Sequence, residues 1–295
     1  MRSLRLALGA LLAIALIGSG AALPAVAAAD GFPLPLPTSP AGDPPGANDW
    51  NCQPTAQRPS PVILVHGTFG DRKNLLENLS KGIKAAGFCV FSLDYGNRGT
   101  GDIVASAKTL KAYVARVRTA TGAAKVSLVG HSQGGMMPRY YIKFLGGATV
   151  VDDLVGIAPS NHGTDQIGQL APLMGVVGPI LDLVCRACSQ QATDSPFLQR
   201  LNAGDETPGT VSYTQITTRH DEVVVPHTSG YLAAGPRTTN LTLQNACPRE
   251  LAEHVLIPLS RPAVSWTLDA LTTRVRRGRR TSRPADGSTR WHRRR

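Results

Sequence analysis

Residues 125–135 read KVSLVGHSQGG, and the fold turns on how they are read. Val126-Ser-Leu-Val129 is a short apolar run of the kind that forms a buried strand. It leads straight into Gly130-His131-Ser132-Gln133-Gly134, and Met136–Leu145 behind it reads as a helix. A serine between two glycines at such a junction has two readings. One is a tight turn without chemistry. The other is a nucleophile held on a sharp strand-to-helix elbow, where a side chain at either glycine would crowd the turn. Pro138 is tolerable near the first turn of a helix. The flanking strand and helix favour the elbow, and Ser132 becomes the candidate nucleophile.

The pattern continues on both sides. Pro61–His66 and Cys89–Leu93 are apolar runs, and further runs follow near Leu154–Ala158, Val211–Thr217 and Leu241–Leu243. Asp71 is positioned to cap a helix reaching Ala86, with Gly87 as its stop. Asp102 is positioned to cap a second helix ending at Gly122. Ile103, Val104, Ala107, Leu110, Val114 and Val117 fall on one face of it. Strands alternating with helices predict an α/β domain with a mostly parallel sheet covered on both faces.

The termini differ from this body. Residues 1–29 carry Arg2 and Arg5, an apolar run from Leu6 to Ile17, and small residues before Ala27 and Ala29, the layout of a cleaved secretory signal. Residues 30–48 are rich in Pro and Gly and read as an extended leader. Residues 274–295 hold ten arginines and one aspartate. The net charge of +11 therefore divides into +2 from the signal, +9 from this tail and zero from residues 30–273. In an intracellular protein such a basic tail would suggest nucleic acid; behind an export signal no nucleic-acid partner is expected. The tail reads as solvated and unfolded. Behind an export signal, the partner its charge suits is an anionic envelope or surface. The body, 49–273, is long enough for one catalytic domain, and the expected state is a monomer.

An activated serine needs a base, and the base needs an acid to hold its tautomer. In an α/β-hydrolase they follow in the order Ser, Asp or Glu, His. Of seven histidines, His162 follows Ser132 with no acid-bearing strand end between them. His220 and His227 flank the best acid too closely, and His292 lies in the tail. His254, after the last strand-like run, is the candidate base. The acid belongs in the loop after Val211–Thr218, which gives Asp221, with Glu222 as its rival. Two backbone N–H groups must receive the oxyanion. Gln133, after the nucleophile, supplies one. The loop Gly67–Gly70 supplies the other through Thr68, whose hydroxyl can add a bond, or through Phe69. His66 and His131 are expected to orient loops. No metal or organic cofactor is required, and Cys185-x-x-Cys188 lacks the further ligands of a zinc site.

Together the segments DWNC at 49–52, PVILVHGT at 61–68, CVFSLDYG at 89–96, GHSQGGMMPRYYIKFLGG at 130–147, APSNHGT at 158–164, TRHDEVVVP at 218–226 and CPRELAEH at 247–254 resemble the secreted bacterial triacylglycerol lipases of the class 2 lipase family. The resemblance spans about 49–272. It implies an α/β-hydrolase fold, carboxylic-ester hydrolysis, and catalytic roles for Ser132, Asp221 and His254. It also implies a disulfide between Cys52 and Cys89, with Cys247 bridged to Cys185 or Cys188. The Arg-rich tail has no counterpart in it. Residues 163–196 are unusually apolar and suggest a cap or lid over the serine, facing acyl chains or lipid. The rival readings are a short-chain-ester or polyester hydrolase, an envelope acyltransferase on the same triad, and a non-catalytic hydrolase scaffold.

Overall fold

A computed structural model describes residues 42–165 and 185–273. The expected signal, the Arg-rich tail and most of the expected cap fall outside the described residues. Among the described residues six strands form one sheet in the order β2-β1-β3-β4-β5-β6. They are β1 (Val62–Val65), β2 (Val90–Leu93), β3 (Val126–His131), β4 (Val151–Ile157), β5 (Ser212–Thr217) and β6 (Thr238–Thr242). Every pairing between them is parallel. The central strands are buried on both faces, so they read as nearly continuous apolar runs without polar alternation.

Helices cover the sheet. α1 (Glu77–Ala85) and the helix at Arg261–Thr272 pack together on one side. There Leu79, Ile83 and Ala263 join Val62, Leu64, Val129, Val155 and Ile216 in one buried cluster. Alternation along β1 turns Ile63 and Val65 to the other face, where α2 (Ile103–Thr121) and α3 (Gln133–Phe144) pack against each other. Asp102 caps α2, accepting from Ala105 N at 2.8 Å, and Gly122 ends it with φ 66°. Val104, expected on the buried face, is only half-buried.

Two helix starts differ from expectation. The first helix begins at Glu77, not at Asp71. Asp71 instead closes a local turn, accepting from Lys73 N at 3.0 Å and Asn74 N at 2.9 Å. Leu75 at φ 67° then breaks the run. α3 starts at Gln133, ahead of the apolar stretch, which puts Pro138 in its second turn.

The described end of the expected leader is anchored on β2. Asn48 N donates to Val90 O at 2.9 Å, and the Asn48 carboxamide pairs with the backbone of Ser92 through both of its ends. At the opposite edge, the Asn240 carboxamide of β6 pairs in the same way with the backbone of Leu232.

Cys52 and Cys89 are bridged, as the resemblance implied, with Cα atoms 5.8 Å apart. The other pairing is corrected. Cys185 bonds to Cys188, and Cys247 is free. The Cys185–Cys188 pair sits at the start of α4 (Arg186–Gln190), where a separation of three residues leaves the Cα atoms 5.3 Å apart. Cys247 follows β6 at the far edge of the sheet.

Candidate active site

β3 ends at His131 and α3 begins at Gln133, so Ser132 makes the whole turn. It has φ 55° and ψ −126°, a conformation that costs a residue with a Cβ about 1–3 kcal/mol. The two flanking glycines explain how the chain packs there. A Cβ on Gly130 would lie 1.8 Å from Gly134 O, and one on Gly134 would lie 2.2 Å from Val65 O. Only bare backbone lets the first turn of α3 press onto β3 and β1. The turn lifts the serine side chain to the carboxyl ends of the strands.

The Ser132 hydroxyl donates to His254 Nε2 at 3.0 Å. His254 Nδ1–H donates to Asp221, 2.9 Å from Oδ1 and 3.0 Å from Oδ2. Asp221 lies in the loop after β5, where Oδ1 also accepts from Val223 N at 3.0 Å and Val224 N at 2.7 Å. These backbone donors fix the carboxylate, which in turn fixes the imidazole tautomer. All three side chains are buried. Glu222, the rival acid, does not face the ring; its carboxylate accepts from the backbone N–H of His254 at 3.4 Å. Burial pulls the His254 pKa down, but the charge and hydrogen bond of Asp221, with Glu222 and Glu253 nearby, outweigh it. The net shift is upward from 6.5.

His131 stands beside His254, their ring centroids 5.0 Å apart. Its Nε2–H donates to the His254 carbonyl at 2.8 Å. Burial, with the neighbouring His254 charge, pushes it down to about 3, so it is neutral and holds the backbone of His254. His66 Nδ1–H donates to Gly67 O at 2.7 Å. Its ring stacks on Tyr95 at 4.2 Å, and the Tyr95 hydroxyl donates to His66 O at 2.6 Å.

The loop after β1 lies directly against Ser132. A Cβ on Gly67 would be 3.0 Å from Ser132 Cβ. Gly70 N donates to Gly67 O at 3.1 Å, closing a turn with Phe69 at φ 63°. Arg98 donates to Phe69 O and pairs with Asp71 at 3.2 Å, pinning the loop from outside. Gln133 opens α3, so its N–H has no acceptor within the helix, and the helix dipole favours negative charge at this end. The Thr68 hydroxyl accepts from the side chains of both Gln133 and Gln191, each at 3.0 Å. Sequence reading missed Gln191, which is 123 residues from Thr68 and carries no local signal.

A parallel sheet with a serine elbow after β3, an acid loop after β5 and a histidine loop after β6 defines an α/β-hydrolase. Within that class the chain belongs to the lipase (class 2) family, whose pattern matches residues 59–255. Over 92 residues it is 39% identical to a triacylglycerol lipase of Pseudarthrobacter phenanthrenivorans, covering 27% of each chain. Over 156 residues it is 29% identical to a triacylglycerol lipase of Pseudomonas fragi, covering 50% of each. The matches thus span between about a quarter and half the length of these relatives. Among solved structures, lipase B of Aspergillus fumigatus superposes with a TM-score of 0.62 at 22% identity, over 78% of this chain and 56% of that one. A mature lipase of Bacillus licheniformis gives 0.57 at 16% identity, over 75% and 95%. These two likenesses concern the fold.

Proposed function

We propose that the chain is a secreted serine hydrolase that cleaves carboxylic esters, acylglycerols among them, through an acyl-enzyme. The observation that carries the reading is the unbroken hydrogen-bond chain from Ser132 through His254 to Asp221. In the first half-reaction Ser132 Oγ attacks the ester carbonyl while His254 Nε2 takes its proton. The Asp221 carboxylate stabilises the imidazolium that forms. The backbone N–H groups of Gln133 and Thr68 receive the developing oxyanion, helped by the N-terminal end of α3. His254 then gives the proton to the leaving alcohol. In the second half-reaction the same histidine activates water, which releases the acid and restores Ser132.

Acylglycerol is the favoured substrate because the curated relatives at 39% and 29% identity are triacylglycerol lipases. Export is supported by the signal-like residues 1–29 and by the Cys52–Cys89 bridge, a bond that persists in oxidising compartments. The Arg-rich tail suits an anionic surface outside the cell.

The test is hydrolysis of p-nitrophenyl esters of increasing acyl length and of emulsified triacylglycerol. Wild type turns over both, and Ser132→Ala falls by about 10⁴-fold or more while remaining folded. A Ser132→Ala protein keeping more than about a tenth of the activity would remove the serine from its role. Hydrolysis of the soluble esters alone would keep the triad and exclude acylglycerol.

A further inference from the structure

The Thr68 hydroxyl occupies an unusual position in the hydrogen-bond network. A threonine hydroxyl has two acceptor sites and one proton to donate. Here two carboxamides converge on the oxygen, Gln133 Nε2 and Gln191 Nε2, each at 3.0 Å. The orientation of both amides is fixed by their other partners. Gln133 Nε2 also donates to Gly99 O at 2.8 Å, and Gln191 Nε2 to Ala187 O at 3.1 Å. A backbone carbonyl only accepts, so the end of each amide facing it, and therefore facing Thr68, is the NH₂ end. At the other end Gln191 Oε1 accepts from Ser160 Oγ at 2.8 Å. Both lone pairs of Thr68 Oγ1 are thereby occupied by donors, and its proton is left to point elsewhere.

We infer that Gln191 is a positioning residue of the oxyanion hole, which holds the Thr68 hydroxyl proton toward the substrate oxyanion as a third donor. The inference rests on the ester-hydrolase reading above and assigns a role to a side chain outside the triad. Gln191 is itself rigidly held, being fully buried. Its backbone N donates to Ala187 O at 3.0 Å, and its carbonyl accepts from Thr164 N at 3.0 Å. Thr164 Oγ1 in turn donates to Val223 O at 2.6 Å, in the loop that carries Asp221. On its other side α4 is closed by the Cys185–Cys188 bridge and anchored by Ala187 N on Thr100 O at 3.0 Å. A donor oriented before the reaction costs no reorganisation when charge develops. Without Gln191 the Thr68 hydroxyl can rotate its proton away.

The test is a double-mutant cycle on the full-length protein with a soluble p-nitrophenyl ester, reading kcat and KM separately. Thr68→Val removes the hydroxyl at constant shape and should lower kcat about tenfold to a hundredfold, with KM within about threefold. Thr68→Ser keeps the hydroxyl and should retain most of the rate. Gln191→Met keeps the volume without the donor and should lower kcat several-fold in the Thr68 background. In the Thr68→Val background it should cost nothing further, because the group it positions is gone. Equal loss in both backgrounds would make Gln191 merely structural and overturn the inference. So would an effect confined to KM, or full activity in Thr68→Val. In that last case a dead Ser132→Ala would show that the hydrolase reading survives. Activity persisting in Ser132→Ala would take down both. If Gln191→Met does not fold, Gln191→Leu and Ser160→Ala repeat the cycle, the latter releasing the carboxamide from its far end.

Discussion

Removing the Cys52–Cys89 bridge gives a stability change whose size follows from chain connectivity. The bond spans 37 residues, closing the leader-proximal segment and α1 into one loop. Loop-closure entropy for 37 residues predicts a loss of about 3.8 kcal/mol at 25 °C when the cross-link is absent. For a folded body of this size, each kcal/mol corresponds to about 2–4 °C in melting temperature, so the expected drop is about 8–15 °C. The clean perturbation is the double substitution Cys52→Ser with Cys89→Ala, since a reductant would also open Cys185–Cys188. Cys89 is buried, and alanine there avoids stranding a hydroxyl. Calorimetry of wild type and variant at one pH gives the shift. Turnover of a soluble ester at 25 °C should be unchanged, because the bridge lies before β2, at the opposite end of the strands from Ser132. A drop below about 3 °C would refute the loop-entropy reasoning, and equal activity loss would refute the separation of bridge from site.

The raised pKa of His254 requires the acid limb of kcat/KM for a soluble ester to have its midpoint above 6.5, since the base acts unprotonated, and Asp221→Asn should move that midpoint down; a wild-type midpoint at or below 6.5 refutes the ion-pair account. The folded state binds this proton more tightly than the unfolded chain, so the stabilisation from the pair is complete below 6.5 and fades as pH rises through the folded value, as urea melts against pH would record. Gly130→Ala, with its Cβ 1.8 Å from Gly134 O, should give no folded protein, whereas Gly122→Ala meets open space at φ 66° and should cost about 1–2 kcal/mol in the same melts. A chain ending at Thr273 should hydrolyse a soluble ester at the wild-type rate but bind anionic vesicles more weakly, and the difference should vanish in high salt, where the tail's charge is screened within a few ångströms.

Local chemistry made much of this molecule readable. Asp102 and Gly122 bound α2 because a cap and a left-handed glycine act within a few residues. The elbow was readable because Gly130 and Gly134 leave a spacing that few other turns need. Where longer-range forces decided, reading fell short. Asp71 is a good cap by type, yet its carboxylate is engaged by Lys73, Asn74 and Arg98, and the helix waits until Glu77. Asp221 and Glu222 are adjacent, so spacing alone could not say which carboxylate meets the imidazole. Tertiary packing aims one at the ring and the other at the backbone N–H of the same histidine. The cysteine pairing followed a family likeness, but Cys185 and Cys188 were already one helical turn apart. The convergence of Gln133 and Gln191 on Thr68 joins three distant segments, and nothing in any one of them announces it.

The two carboxamides at the margins of the sheet bear on how this protein behaves when crowded. A parallel sheet ends in strands with unpaired peptide groups, which invite a neighbouring chain to add on. Asn48 covers one such margin at Ser92, and Asn240 ties the other to Leu232, each side chain standing in for a peptide by donating and accepting at once. The first of these seals belongs to the stretch 30–48, which composition reads as an extended leader. A protein trimmed to begin after Asn48 would keep every group of the candidate site and still expose the margin of β2. Such a shortened form would be prone to self-association, most of all where molecules gather densely at an oil–water boundary.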